Sequence, residues 1–298
     1  MLFDCCGSFS LSSLHLRRLT APQSGRLRTC RMEQKAGVLS MKKRFLLIIP
    51  GVIIMLCSAF LLYTGVYYHA DASALAALKS DEYVHVTQTE YGWLFDGPSE
   101  TDALIYYPGG KVEETAYAPL LHGIAAQDMD VCLVRMPFRL AVFGADKADQ
   151  VIRKYDYDSW YIGGHSLGGV MAADYAAGNH TGLAGVVLLG AYSVKELDEG
   201  LHVISIYGSE DGVLNRTRMR EYGRCLPADS EQYVISGGNH AQFGNYGKQT
   251  GDGEAAISAE EQQRRTEELL RQSIFPKRNP PPCPPAKYEH TSVSEQVP

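Results

Sequence analysis

Apolar and polar positions along the chain fall into three regimes. From Phe45 to Tyr68 the chain reads FLLIIPGVIIMLCSAFLLYTGVYY without one charged residue. A helix needs about 20 apolar residues to cross a bilayer, so this run predicts a single transmembrane helix. Pro50-Gly51 near one end would kink such a helix without forbidding it. From Ala74 to Phe275, short apolar runs alternate with helical patterns. Tyr83–Thr89 and Tyr91–Phe95 read as a strand pair, and Trp160–Ile162, Val186–Leu189, Val203–Tyr207 and Tyr233–Ile235 as further strands. Ala103–Tyr107 (ALIYY) and Val131–Val134 (VCLV) are unbroken apolar runs, as in strands buried on both faces. Helices are predicted over Tyr117–Gln127, Leu167–Ala177 and Asn215–Tyr222, and near Ala145–Lys154 after a loop holding Pro137. A last helix opens at the capping box Ser258-Ala259-Glu260-Glu261 and runs to about Leu270. Strands alternating with helices predict an α/β domain, a mostly parallel sheet with helices on both faces. Met1–Ser40 and Pro276–Pro298 lack periodicity, and the second, with PPPCPP, is expected to be a disordered tail.

Charge decides how the span is oriented. Lys42, Lys43 and Arg44 abut its start, and Tyr63, Tyr67 and Tyr68 mark its far interface. Basic flanks stay in the cytoplasm, so the N-terminus is expected inside and the domain outside. Small residues at Ala70, Ala72 and Ser73 suit a cleaved signal peptide, but such peptides have apolar cores of about 7–15 residues. The longer run favours an uncleaved anchor. Ile54, Met55 and Leu56 are too bulky for lipid attachment at Cys57. Met41-Lys42-Lys43-Arg44 resembles a natural start, so residues 1–40 read as a leader or an over-extended start, the second being preferred. The expected organisation is residues 1–40, a basic flank and anchor at 41–70, a domain at 74–275 and a tail at 276–298.

Composition adds exclusions. With 298 residues, 45% hydrophobic and 21% charged, the chain can bury a real core. A net charge of −6 argues against nucleic acid as a partner. The seven cysteines lack C-x-x-C spacing, so no metal site is expected. Cys57 and Cys132, both in apolar runs, read as buried. Asn179-His180-Thr181 and Asn215-Arg216-Thr217 match a glycosylation acceptor pattern that arises often by chance.

The sharpest chemical signal is Gly164-His165-Ser166-Leu167-Gly168-Gly169, between a predicted strand and a predicted helix. A serine on that turn is a nucleophile elbow: the glycines permit a strained turn, and the helix points free N–H groups at a forming oxyanion. A base and an orienting carboxylate should follow, in the order serine, acid, histidine. Strand Val203–Tyr207 ends in Gly208-Ser209-Glu210-Asp211-Gly212-Val213, where Asp211 is the preferred acid and Glu210 the alternative. Strand Tyr233–Ile235 ends in Gly237-Gly238-Asn239-His240, which places His240 as the base. Leu167 should give one oxyanion N–H, and Gly110 or Lys111, in Tyr107-Pro108-Gly109-Gly110-Lys111-Val112, the second. His165 reads as a packing residue.

These motifs, with Met136-Pro137-Phe138-Arg139-Leu140-Ala141-Val142-Phe143, Gly251-Asp252-Gly253-Glu254-Ala255 and Glu261-Gln262-Gln263, resemble a known family. It is that of the small membrane-anchored bacterial α/β-hydrolases of the "alpha/beta hydrolase fold-5" type. The resemblance runs from about Met41 to Leu270. It implies the α/β-hydrolase fold and esterase-type hydrolysis, and leaves the substrates largely undefined. The residues by themselves point to a serine hydrolase of an acyl ester, thioester or amide outside the cytoplasm, with no cofactor. A small acyl compound and the membrane are the expected partners. Acyl transfer through the same residues, and an inactive member that binds or senses at the surface, remain open alternatives. Between Ser166 and Asp211 there is room for a helix, a strand, a short loop and another strand, but not for a large lid.

Overall fold

A computed structural model describes residues 48–178 and 182–275. The leader, the basic flank Lys42–Arg44, the first acceptor pattern (179–181) and the tail (276–298) lie outside the described residues. Two compact units are distinguished, Met1–Leu61 and Leu62–Pro298, and the described residues of the first are wholly helical. They belong to helix α1, Ile48–Gly65, which is long and apolar enough to cross a membrane. Cys57 on this helix is exposed, not buried as its apolar neighbours suggested. The helix shows apolar side chains such as Ile54, Leu56 and Leu62 all round, a surface suited to lipid and not to a protein core.

Eight strands form the sheet of the second unit: β1 (His85–Gln88), β2 (Gly92–Asp96), β3 (Asp102–Tyr107), β4 (Asp130–Val134), β5 (Ser159–His165), β6 (Leu183–Leu189), β7 (His202–Gly208) and β8 (Glu231–Ile235). Their order is β1-β2-β4-β3-β5-β6-β7-β8. Only β2 runs against the rest: it pairs antiparallel with β1 and with β4, and every later pairing is parallel. The helices are α2 (Ala72–Ala76), α3 (Ala118–Ala125), α4 (Ala148–Ile152), α5 (Leu167–Gly178), α6 (Arg216–Tyr222) and α7 (Ala259–Ile274).

The continuous apolar runs are explained by two cores, one on each face of the sheet. In β3, Leu104 and Tyr106 join a core with Leu120 and Leu121 of α3 and Leu270 of α7. Ala103, Ile105 and Tyr107 point the other way, toward Ala172, Ala173 and Ala176 of α5 and Val151 of α4. Alternation therefore persists as direction, although both directions are apolar. The alanines keep α5 close against β5 and β6, the centre of the sheet.

Several boundaries differ from expectation for local reasons. The helix predicted near Ala145–Lys154 is α-helical only over Ala148–Ile152. Short 3-10 turns precede it at Pro137–Arg139, Ala141–Phe143 and Ala145–Lys147. Pro137 and Gly144 interrupt the segment, and Phe138 and Arg139 adopt positive φ (54° and 58°). Strand β5 runs on to His165 because its glycines pair with Leu188 and Val187 of β6. Helix α7 does open at Ser258, whose hydroxyl accepts from Glu261 N–H at 3.2 Å, and it continues to Ile274. Asn215, in the second acceptor pattern, caps α6 by accepting from Arg218 N–H. Tyr68 is bonded into the loop after β3: its N–H donates to Lys111 O at 2.8 Å and its carbonyl accepts from Glu113 N–H at 2.9 Å.

Ile162, fully buried in the central strand, measures how tightly the second core is filled. Ile162→Ala should cost about 2–5 kcal/mol, read as a lower urea midpoint at an unchanged slope.

Candidate active site

The C-terminal ends of β3, β5, β7 and β8 carry every candidate residue. Ser166 follows β5 directly, with φ +53°, and α5 begins at the next residue. This left-handed conformation is uncommon for a residue with a Cβ and is found where surrounding structure enforces it. Ser166 N–H donates to Leu189 O at 2.9 Å, and Ser166 O accepts from Val170 N–H at 3.1 Å. The turn is thereby fastened to β6 on one side and to its own helix on the other.

Close backbone contact explains the glycines. A Cβ at Gly164 would lie 2.3 Å from Tyr107 O, and one at Gly168 2.2 Å from the same oxygen and 2.4 Å from Pro108 O. A Cβ at Gly169 would lie 2.6 Å from Gly164 O. The sequence gives glycine where β3, β5 and α5 touch main chain to main chain.

Asp211 and His240 meet as an almost fully buried pair. His240 Nδ1 is 2.8 Å from Asp211 Oδ2, with side-chain exposures of 1% and 0%. The other carboxylate oxygen, Oδ1, accepts from Val213 N–H at 2.9 Å and Leu214 N–H at 2.7 Å. Three bonds therefore fix the carboxylate and aim it at one imidazole nitrogen. Glu210 is exposed and accepts instead from the Ser209 hydroxyl at 2.8 Å. The remaining ring nitrogen, His240 Nε2, is buried and has no hydrogen-bond partner among the described residues, so the bond to Ser166 Oγ is not closed here. Proximity is set by the chain: Leu189 accepts from Ser166, and the next residue, Gly190 at φ +54°, would place a Cβ 3.0 Å from His240 Nδ1.

The two candidates for the second oxyanion donor are separated by their hydrogen bonds. Lys111 N–H donates to Arg139 O at 2.9 Å, so it is not available to a ligand. Gly109 N–H donates to the Tyr117 hydroxyl at 3.0 Å. Among the described residues nothing accepts from Gly110 N–H or Leu167 N–H. A Cβ at Gly110 would lie 2.9 Å from Leu167 Cδ2, so the two residues are neighbours.

His165 does more than pack. Its Nδ1 lies 2.9 Å from the Tyr117 hydroxyl, and its ring centroid 4.4 Å from that of His240. Burial, and then the adjacent His240, hold its pKa well below the usual histidine value, so it is a neutral neighbour. Since Tyr117 accepts from Gly109, its own proton has His165 Nδ1 as acceptor. A buried chain thus links the loop after β3 to the residue before Ser166. Sequence offered no sign of Tyr117, which lies 48 positions from its partner.

The His240 loop is held from α7 as well. Gln262, with no exposed surface, accepts from Asn239 N–H at 2.9 Å and donates to Asn239 O at 2.8 Å. Gln263 donates to Gln242 O at 3.1 Å. Three or more clustered metal-ligating side chains do not occur among the described residues.

An eight-stranded sheet in this order, with a left-handed serine after β5 and an acid and histidine after β7 and β8, defines an α/β hydrolase. Residues 103–264 match the sequence model of the alpha/beta hydrolase family. The match covers more than half of the chain, which belongs to that family. Solved structures with a similar chain path include TT1662 from Thermus thermophilus (13% identity, 64% of this chain and 98% of that one, TM-score 0.46). Others are the carboxylesterase CesB from Bacillus subtilis (10%, 68% and 95%, 0.46) and carboxyl esterase 2 from Tuber melanosporum (10%, 70% and 91%, 0.49). No curated protein matches the sequence.

The elbow glycines can be tested against a glycine of the same helix. Gly178, at the far end of α5, has nothing within 4 Å of an added Cβ. Gly178→Ala should stay within about 1 kcal/mol of wild type, whereas Gly168→Ala should lower the melting temperature by many degrees or prevent folding. Equal melting curves for the two variants would disprove the close approach.

Proposed function

We propose that this protein is a serine hydrolase that cleaves acyl esters through Ser166, His240 and Asp211. The observation that carries the reading is the buried 2.8 Å pair of His240 Nδ1 and Asp211 Oδ2 beside a serine held at φ +53°. Asp211 fixes the proton on Nδ1, which leaves Nε2 as the base facing the serine turn. Nε2 takes the proton of Ser166 Oγ as that oxygen attacks the ester carbonyl carbon. The carbonyl oxygen becomes an oxyanion, held by the N–H groups of Leu167 and Gly110 and by the positive end of α5. The imidazolium, steadied by the Asp211 charge, then gives its proton to the departing alkoxide. This leaves an acyl group on Ser166. Water repeats the sequence: His240 takes its proton, the hydroxide adds to the acyl carbon, and Ser166 leaves reprotonated beside a free carboxylic acid. His165, neutral and already engaged with Tyr117, takes no proton in this scheme.

The reading includes a place of action. Helix α1 is long and apolar enough to span a membrane, and the basic residues Lys42, Lys43 and Arg44 precede it in sequence. Positive flanks are retained inside, so the hydrolase domain works on the outer side, tethered to the membrane. Envelope esters and exogenous acyl compounds are the substrates within its reach.

Ser166→Ala should abolish fluorophosphonate labelling and p-nitrophenyl ester turnover with the fold intact. Asp211→Asn should lower kcat about 10⁴-fold, as for a base left in the wrong tautomer, whereas Glu210→Gln should change it little. Undiminished labelling of Ser166→Ala would refute the nucleophile, and the reverse ranking of the two acid variants would move the acid to Glu210.

Orientation is tested separately by protease treatment of intact cells or spheroplasts. The domain should be digested without lysis and the uncut chain should fractionate with membranes. A domain protected until lysis would refute the outward orientation.

A further inference from the structure

The loop Gly251-Asp252-Gly253 lies far along the chain from the serine turn, yet its carboxylate sits between the two loops that carry the acid and the base. Asp252 Oδ1 accepts from Gly212 N–H at 3.1 Å, from His240 N–H at 3.1 Å and from Gly253 N–H at 2.8 Å. Its Oδ2 accepts from Ala241 N–H at 2.8 Å. One side chain therefore bonds the residue that follows Asp211, the base itself and the residue that follows the base. The approach is enforced by main-chain contact. A Cβ at Gly253 would lie 2.0 Å from Glu210 O, and one at Gly212 2.7 Å from Gly251 O.

We propose that Asp252 is a positioning residue for the reaction, setting the His240 main chain against the Asp211 loop so that Nε2 faces the serine turn. The proposal rests on the reading of Ser166, His240 and Asp211 as the reacting set. Hydrogen bonds to an ionised acceptor are shorter and about twice as strong as neutral ones, so a carboxylate suits a junction between loops better than an amide does. Precision matters here, because a misplacement of about 1 Å can cost about 10²-fold in rate. The second consequence is electrostatic. The Asp252 carboxylate is bonded to the main chain of the residue that becomes an imidazolium, so its negative charge favours that cation. Losing the charge should weaken that support of the imidazolium.

A purely structural role would reduce stability and leave the kinetics of the folded fraction unchanged, which makes the two roles separable. The experiment compares full-length wild type, Asp252→Asn and Asp252→Glu with p-nitrophenyl acetate, scaling rates to the folded fraction determined by circular dichroism. Asp252→Asn should lose about 10²-fold in kcat with KM within about twofold, and the acid limb of its kcat/KM profile should move to lower pH. Asp252→Glu keeps the charge but displaces it, so kcat should fall while the acid limb stays in place. Wild-type kcat in either folded variant overturns the proposal, as does an acid limb that Asp252→Asn leaves unmoved. If Asp252→Asn fails to fold, Asp252→Glu decides alone: full kcat overturns positioning, and a lowered kcat at an unmoved acid limb supports it. Ser166→Ala run alongside separates this from the underlying reading. Turnover retained in Ser166→Ala rejects the serine mechanism. Turnover lost there and untouched in Asp252→Asn rejects only the role of Asp252.

Discussion

Three pieces of main chain meet around Ser166 with no side chain between them, and the site takes its shape from that contact. The carbonyl of Tyr107 at the end of β3 faces the α-carbons of both Gly164 and Gly168 at distances no Cβ could share. Strand β5 can then turn into α5 only through a residue in the left-handed region, and Ser166 occupies it at φ +53°. Close contact of β3 with the first turn of α5 also brings Gly110 beside Leu167, so two N–H groups without a partner among the described residues become neighbours. The strain at one residue is thus balanced by packing over the whole end of the sheet.

The polar side of the site is built by the opposite rule, with nearly every polar group saturated. Asp211 accepts from two main-chain N–H groups and pairs with His240. Asn239 is gripped on both its N–H and its carbonyl by Gln262. Against this background the unbonded Nε2 atoms of His240 and His165 stand out, because a buried polar atom without a partner costs about 1–3 kcal/mol. In His240 that atom is the one the proposed reaction would use. In His165 it is the atom left over once Tyr117 has taken Nδ1, and neutrality keeps its cost down.

How much could be read in advance follows from the range of each interaction. Strands buried on both faces declare themselves as apolar runs, the outer strands as shorter alternating ones, and all eight were legible; the strand-end positions of Ser166, Asp211 and His240 followed from chain order, their roles being part of the proposed function. Hydrogen-bond choices were not legible. Gly110 and Lys111 are adjacent and equally plausible until Arg139, 28 positions on, claims one of their N–H groups. Tyr117, Gln262 and Asp252 act on residues 8 to 48 positions away, and no local pattern encodes that pairing. Cys57 failed for another reason. Hydropathy reports what a side chain avoids, water, but not whether protein or lipid is to replace it.

The stretch just after α1 is packed into the loops at the end of the sheet as well as being a connector. Tyr68 pairs main chain to main chain with the loop that presents Gly110, and the Arg139 guanidinium lies 3.4 Å over the Tyr67 ring. Lys111 reaches the Tyr63 ring at 4.1 Å. The segment after α1 and the loop after β3 therefore share a boundary. A cut after Tyr68 would strip the loop that carries Gly110 of its main-chain partner, so cleavage at that point should loosen that loop as well as sever the chain.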